Sequence, residues 1–182
     1  ENVIDLDTFF KIYFRAKFAD SEADYKKFEG KYHYEIYQNE KILNFFGRFE
    51  DNQKLFNWVT NDFAYFAQLH LRIRTSYDNE YLIYNKLLDQ NQQYLLIISA
   101  LGLHDSEENE KISLVAKKFD QLHTTLRLLD VYDSNAFQDL VYKLNVQIRN
   151  KLVDEIEKAF DNILIVYLED QSIISEGSYH KI

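Results

Sequence analysis

The chain has 182 residues, 46% of them apolar and 16% aromatic, a formal charge of −9, and no Cys, Pro or Met. The aromatic share argues against disorder over most of the length, and the missing Cys excludes disulfides, thiolate zinc sites and Cys nucleophiles and points to a reducing compartment. The acidic balance disfavours bulk binding to nucleic-acid phosphates while leaving room for a local basic stripe.

No run of 18 apolar residues occurs, and the N-terminus lacks a basic-then-apolar layout, so a soluble, cytoplasmic domain with no membrane partner is expected. Without an initiator Met, the chain reads as an excised piece of something longer. The absence of Pro suits long helices.

In chain order, residues 5–19 pair aromatics at Phe9/Phe10, Tyr13/Phe14 and Phe18, and steps of four place them on one helical face. A Lys- and Glu-rich helix follows over 21–37, with Ser21 as N-cap, Asp24 at the capping-box spacing and Gly30 as an interruption. The pattern then predicts a short helix over 40–49 and a long one over 52–74. Leu55, Val59, Phe63, Phe66 and Ile73 form the buried stripe of the long helix, with Trp58 flanking it. Residues 75–79 read as a turn. Over 80–88 a short helix aligns Tyr81, Tyr84 and Leu88, with Ile83 and Leu87 as a second apolar row.

Residues 94–100 are almost continuously apolar, a run that fits buried strand or buried helix. Helical neighbours and Gly102, placed as a C-terminal cap, favour helix. Asp105 or Ser106 starts the next helix. Its Ile112, Val115, Phe119, Leu122, Leu126 and Leu129 fall at steps of 3, 4, 3, 4 and 3, a heptad-like seam suited to an antiparallel helix pair. Further helices carry Phe137, Leu140, Leu144 and Ile148, then Ile156, Phe160, Ile163, Leu164 and Tyr167. The expected fold is all-α, a bundle of roughly seven to nine helices with short loops. It forms a single domain over 1–170 with 171–182 as a tail or linker.

The chemistry is sparse. Four glycines cannot form phosphate-cradling or dinucleotide loops. No two histidines lie three or four apart, so a helical His-His metal pair is impossible. Glu29/His33 and Asp120/His123 are the two acid–His pairs, and solvated or capped helical pairs account for them more simply than a metal. His70, Arg72 and Arg74 make a compact basic segment at a helix end, which Arg127, Arg149 and Lys151 join only if the fold brings them near. Together the six are the candidate nucleic-acid contact; the competing reading is cations offsetting a helix dipole. Tyr32, Tyr34 and Tyr37 beside Lys26, Lys27, Lys31 and Lys41 suggest a base-stacking surface, although Tyr at helical spacing belongs more often to core or rim. A ribonuclease of the HEPN type needs an Arg and a following His with four to six residues between them, and none of the six arginines has one.

Four stretches carry a resemblance: Phe14-Arg15-Ala16-Lys17-Phe18, residues 92–101 (QQYLLIISAL), residues 117–127 (KKFDQLHTTLR) and residues 142–151 (YKLNVQIRNK). In this order they resemble the helical middle region of GmrSD-class proteins, modification-dependent (type IV) restriction endonucleases of bacterial defence. The family's N-terminal domain is ParB-like with an Asp-Gly-Gln-Gln-Arg motif, and its C-terminal domain is a His-Asn-His nuclease. Neither motif occurs here, so the resemblance implies a connector that is not itself an enzyme and holds no catalytic residue, metal or cofactor. Its partners would be the flanking domains of the same polypeptide, with DNA as a weak secondary contact. An unrelated interaction scaffold and a free-standing helical nucleic-acid module are the alternatives.

Overall fold

The computed structural model describes residues 5–174. It is all-α, with 76% helix and no strand among the described residues. The helices are α1 (Leu6–Phe18), α2 (Glu22–Glu35), α3 (Glu40–Phe45), α4 (Asn52–Asn57), α5 (Ala64–Thr75), α6 (Glu80–Leu87), α7 (Gln92–Ala100), α8 (Glu108–Leu128), α9 (Ser134–Gln147) and α10 (Val153–Asp170). A π-helical turn, Trp58–Phe63, joins α4 to α5 in one rod. Residues 171–174 follow α10 as a turn, and the rest of the expected tail, 175–182, lies outside the described residues.

Helix α7 is the hub. It packs on α1, α5, α8 and α9, and Tyr94 through Leu101 are all buried. A helix covered on every side has no polar face to show, which explains the continuous apolar run that hid its periodicity. Around it, α2 packs on α1, α6 and α10 pack on α8, and α10 also packs on α9. Side chains start several of these helices: Asp5, Ser21, Asn39, Asp51, Asn79 and Asp133 each accept a backbone N–H of the first turn, meeting donors that have no partner within the helix.

Several expectations need correction. In the rod, Val59 is 47% exposed and Trp58 is buried. The π turn closes i→i+5 bonds and adds residues per turn, so the stripe rotates and Trp58 takes the inner place. The short helix ends at Phe45, because Gly47, Arg48 and Phe49 all adopt positive φ. In α6 both apolar rows lose to Leu82 and Asn85, which face the core while Tyr84, Leu87 and Leu88 stay exposed. Asn85 wins its place by donating to Gln93 Oε1 (3.1 Å) and to Ala116 O (3.0 Å).

The α8 seam is buried from Ile112 to Leu126, but Leu129 is 41% exposed as the C-cap beyond the helix. Leu101, not Gly102, is the C-cap of α7, and Gly102 avoids the left-handed region. Asp105 does not cap α8; its carboxylate accepts from the N–H groups of Gly102 (3.1 Å) and Glu107 (3.0 Å) and pairs with Lys111. The kink in α2 falls at Lys31, one residue after Gly30.

Candidate functional site

The six-residue basic patch does not assemble. His70 is 1% exposed, its ring stacked on Phe9 (5.3 Å) and edge-on to Tyr94 (5.6 Å). Burial, then the nearby Arg74 charge, pushes its pKa down to about 4, so it is a neutral core ring and not a phosphate contact. Arg72 pairs with Glu108 at the start of α8. Arg127 lies near the other end of α8, its guanidinium 3.9 Å from the Tyr132 ring centroid. At a rise of about 1.5 Å per residue those two ends of α8 are about 28 Å apart. Lys151 pairs with Glu155 (2.8 Å).

Arg149 has a different occupation. Its Nε donates to Ala16 O (2.7 Å), one Nη to Asp20 (2.5 Å) and the other to Ala19 O. The Ala16 and Ala19 carbonyls lie at the C-terminal end of α1, where a helix leaves C=O groups without internal partners. Asn145 Nδ2 donates to Arg15 O (3.0 Å). The Ser99 hydroxyl donates to Asn145 O (2.6 Å) and lies 3.3 Å from Ala16 O. The backbone N–H of Asn150 donates to Ser99 O (3.1 Å). The end of α1 is thus capped from outside by side chains of α7, α9 and Arg149 just after α9, and three elements distant in sequence are locked at one junction.

Beside this junction opens a pocket of about 500 Å³. Tyr13, Phe18, Phe45 and Phe66 form its aromatic walls, and Lys17, Lys41, Asp62 and Asn150 supply its polar groups. Lys17 is partly buried. Its Nζ donates to Leu101 O (2.5 Å) and sits 4.1 Å from the Phe66 ring centroid. Burial, reinforced by Arg149, pushes its pKa down to about 7. An apolar pocket with a few convergent polar groups and a perturbed titratable side chain is the arrangement expected of a binding site. The sequence reading missed it. The available signal was a lysine set inside the aromatic steps Tyr13, Phe14 and Phe18, where a solvated cation does not belong.

The other sequence candidates separate. Asp120 and His123 share one face of α8, but His123 packs on Tyr132 and Phe137. Burial lowers the His123 pKa and raises that of Asp120, so each is disfavoured in the charged form that a strong ion pair needs. No group of three or more His, Cys, Asp or Glu suited to a metal occurs among the described residues. Tyr32 lies flat on Phe10 (5.5 Å) and donates to Asp7, leaving Tyr34 and Tyr37 exposed. Lys26 and Lys41 are spent on Glu22 and Asp20. No described helix is long and apolar enough to cross a membrane.

No family model matches the chain, and neither a curated protein nor a solved structure matches it.

Proposed function

We propose that this chain is a rigid helical connector, similar to the middle region of GmrSD-class restriction proteins, that holds a sensor domain and a nuclease domain in register. The observation that carries the reading is the junction at the end of α1. Three of the four stretches that bear the resemblance, those containing Arg15–Lys17, Ser99–Leu101 and Asn145–Asn150, meet there and spend their polar groups on one another. The fourth works in the same way, with Lys118 on α8 bridging to Glu157 (3.0 Å) and Asp161 (2.8 Å) on α10.

Residues used to interlock helices suit a spacer whose output is geometry. A connector also needs apolar surface for its neighbours to cover, and α6 supplies Leu87, 77% exposed, beside Leu88 and Tyr84.

Two measurements test the connector. The coding sequence on either side should specify a ParB-like domain upstream and a His-Asn-His nuclease downstream; unrelated or absent neighbours sink the reading. The isolated chain, incubated with plain and modified plasmid, Mg²⁺ or Mn²⁺ and nucleoside triphosphates, should neither cut DNA nor release phosphate. Metal-dependent cleavage that survives re-purification and disappears on changing one residue of this chain would overturn it.

A further inference from the structure

A structural spacer has no use for a partly buried lysine beside an open cavity, and Lys17 is such a residue. An ammonium carries three N–H donors, and Leu101 O is the one oxygen that accepts from it among the described residues. Of the carboxylates that face it, Asp105 is paired with Lys111 (2.9 Å), and Asp62 on the pocket wall lies beyond ion-pair distance of its Nζ. A largely desolvated cation with no carboxylate in contact is costly, and one hydrogen bond to a carbonyl does not offset that cost. An anion entering from outside would supply what the fold withholds. The cavity, about 500 Å³, falls within the size range of small-molecule sites, and its aromatic walls suit a flat ring.

We propose that the Lys17 pocket binds a small aromatic oxyanion, a carboxylate or phosphate borne on a ring, with its charge on Lys17 Nζ and its ring against Phe18, Phe45 and Phe66. The charged groups facing Lys17 are Asp62 on the π turn, Asp105 between α7 and α8, and Arg149 after α9, with Lys41 of α3 on the pocket wall. The depressed Lys17 pKa fits the assignment: desolvation first, then Arg149, disfavours the charged amine more than Asp62 and Asp105 favour it. Binding would therefore draw a proton onto the amine. The proposal stands apart from the connector reading: ligand binding is measured on the isolated chain, and the neighbouring domains play no part in it.

Trp58, the sole tryptophan, is a built-in reporter. Its indole N–H donates to Tyr13 OH (2.8 Å) on the pocket wall. The purified chain is titrated with benzoate, phenyl phosphate and the neutral benzyl alcohol, following Trp58 fluorescence. At pH 7 at least one oxyanion should bind about tenfold or more tighter than the alcohol, and the tighter of the two names the class. Its Kd should rise by up to about tenfold per pH unit between pH 7.5 and 9, as the amine of the free protein loses its proton. Lys17→Met, checked for helix content by circular dichroism, should erase both the preference and the pH dependence. Phe45→Ala, at the exposed rim, should weaken all three probes and keep their ratio.

The assignment is overturned if neither oxyanion binds below about 10 mM, if the alcohol binds as well as the anions, or if Lys17→Met keeps the preference. Should Lys17→Met fail to fold, the pH series on the unmodified chain decides, and a flat series overturns the proposal.

Discussion

The two halves of the bundle are built from different materials. Around α1, α2 and the α4–α5 rod the interior is aromatic: Phe9, Phe14, Phe28, Phe46, Trp58 and Phe66 are buried against one another. Ring centroids there lie about 5–6 Å apart, as in Phe46–Trp58 (4.8 Å) and Phe14–Phe28 (6.0 Å). Around α8, α9 and α10 the interior is mainly aliphatic, with Val115, Leu122, Leu126, Leu140, Leu144 and Ile156 in regular steps. The aliphatic half uses long uninterrupted helices. The aromatic half holds the kink at Lys31, the positive-φ turn at 47–49 and the π turn at 58–63. Large rigid rings cannot all follow a 3.6-residue repeat and still interlock, so the backbone yields around them. The Lys17 pocket lies on the irregular side, where imperfectly meshed rings leave space.

The sharpest break in this comparison should come from the aromatic side. Phe14 is fully buried, with Phe10, Phe18, Phe28 and Tyr32 as ring neighbours. Phe14→Ala should cost about 3–5 kcal/mol in urea melts, because rigid rings collapse poorly into a cavity. On the aliphatic side Leu122→Ala should cost about 2–5 kcal/mol. Gln121→Ala, exposed one residue away, should cost under about 0.5 kcal/mol. Equal costs at Leu122 and Gln121 would mean that the α8 seam faces elsewhere.

The same contrast explains what could be read in advance. Helices α8, α9 and α10 bury most of the residues their spacing marks, with Leu129 exposed and Leu164 and Tyr167 partly buried, since one apolar face per helix is all that periodicity encodes. Periodicity fails at Val59 because a π turn shifts the phase, and at α6 because Asn85 finds acceptors on Gln93 and Ala116 that no local pattern reveals. The basic patch fails for a related reason. Sequence proximity groups His70 with Arg72 and Arg74, but Arg72 lies two residues from each on another side of α5, and the His70 ring is buried while both arginines are exposed. Arg149 reads as a functional cation in the sequence, yet its partners are the Ala16 and Ala19 carbonyls and the Asp20 carboxylate, more than a hundred residues away, and only the folded chain shows them.

His70 offers a pH test of the aromatic half. Both ring nitrogens lack a hydrogen-bond partner in the structure, and its pKa falls to about 4 when folded against about 6.5 in an unfolded chain. Between those values the unfolded state binds the proton and the folded state does not. Stability from this residue is therefore complete above pH 6.5 and lost progressively as pH falls toward 4, by about 3 kcal/mol in all. In His70→Phe, which keeps a ring between Phe9 and Tyr94, that loss should vanish. Urea midpoints of the two proteins compared from pH 7 to pH 4 would show it, and parallel curves would place His70 in contact with water.

The smallest effect tests whether the aromatic half depends on hydrogen bonds as well as ring packing. Trp58 Nε1 and Tyr13 OH meet at 2.8 Å across 45 residues of sequence, and both side chains are buried. Tyr13→Phe keeps the ring contacts with Phe9, Phe63 and Phe66 and removes only the acceptor. The indole N–H is then left in an apolar surround, at a cost of about 1–3 kcal/mol. The double variant Tyr13→Phe/Trp58→Phe removes both partners, so on hydrogen-bond grounds alone it should recover part of that loss, offset by the smaller ring at position 58. A double-mutant cycle in urea separates these terms, because the coupling belongs to the hydrogen bond and the ring-size term to Trp58 alone. A coupling near zero would mean that the rings hold this half by shape alone, as the leucines hold the other.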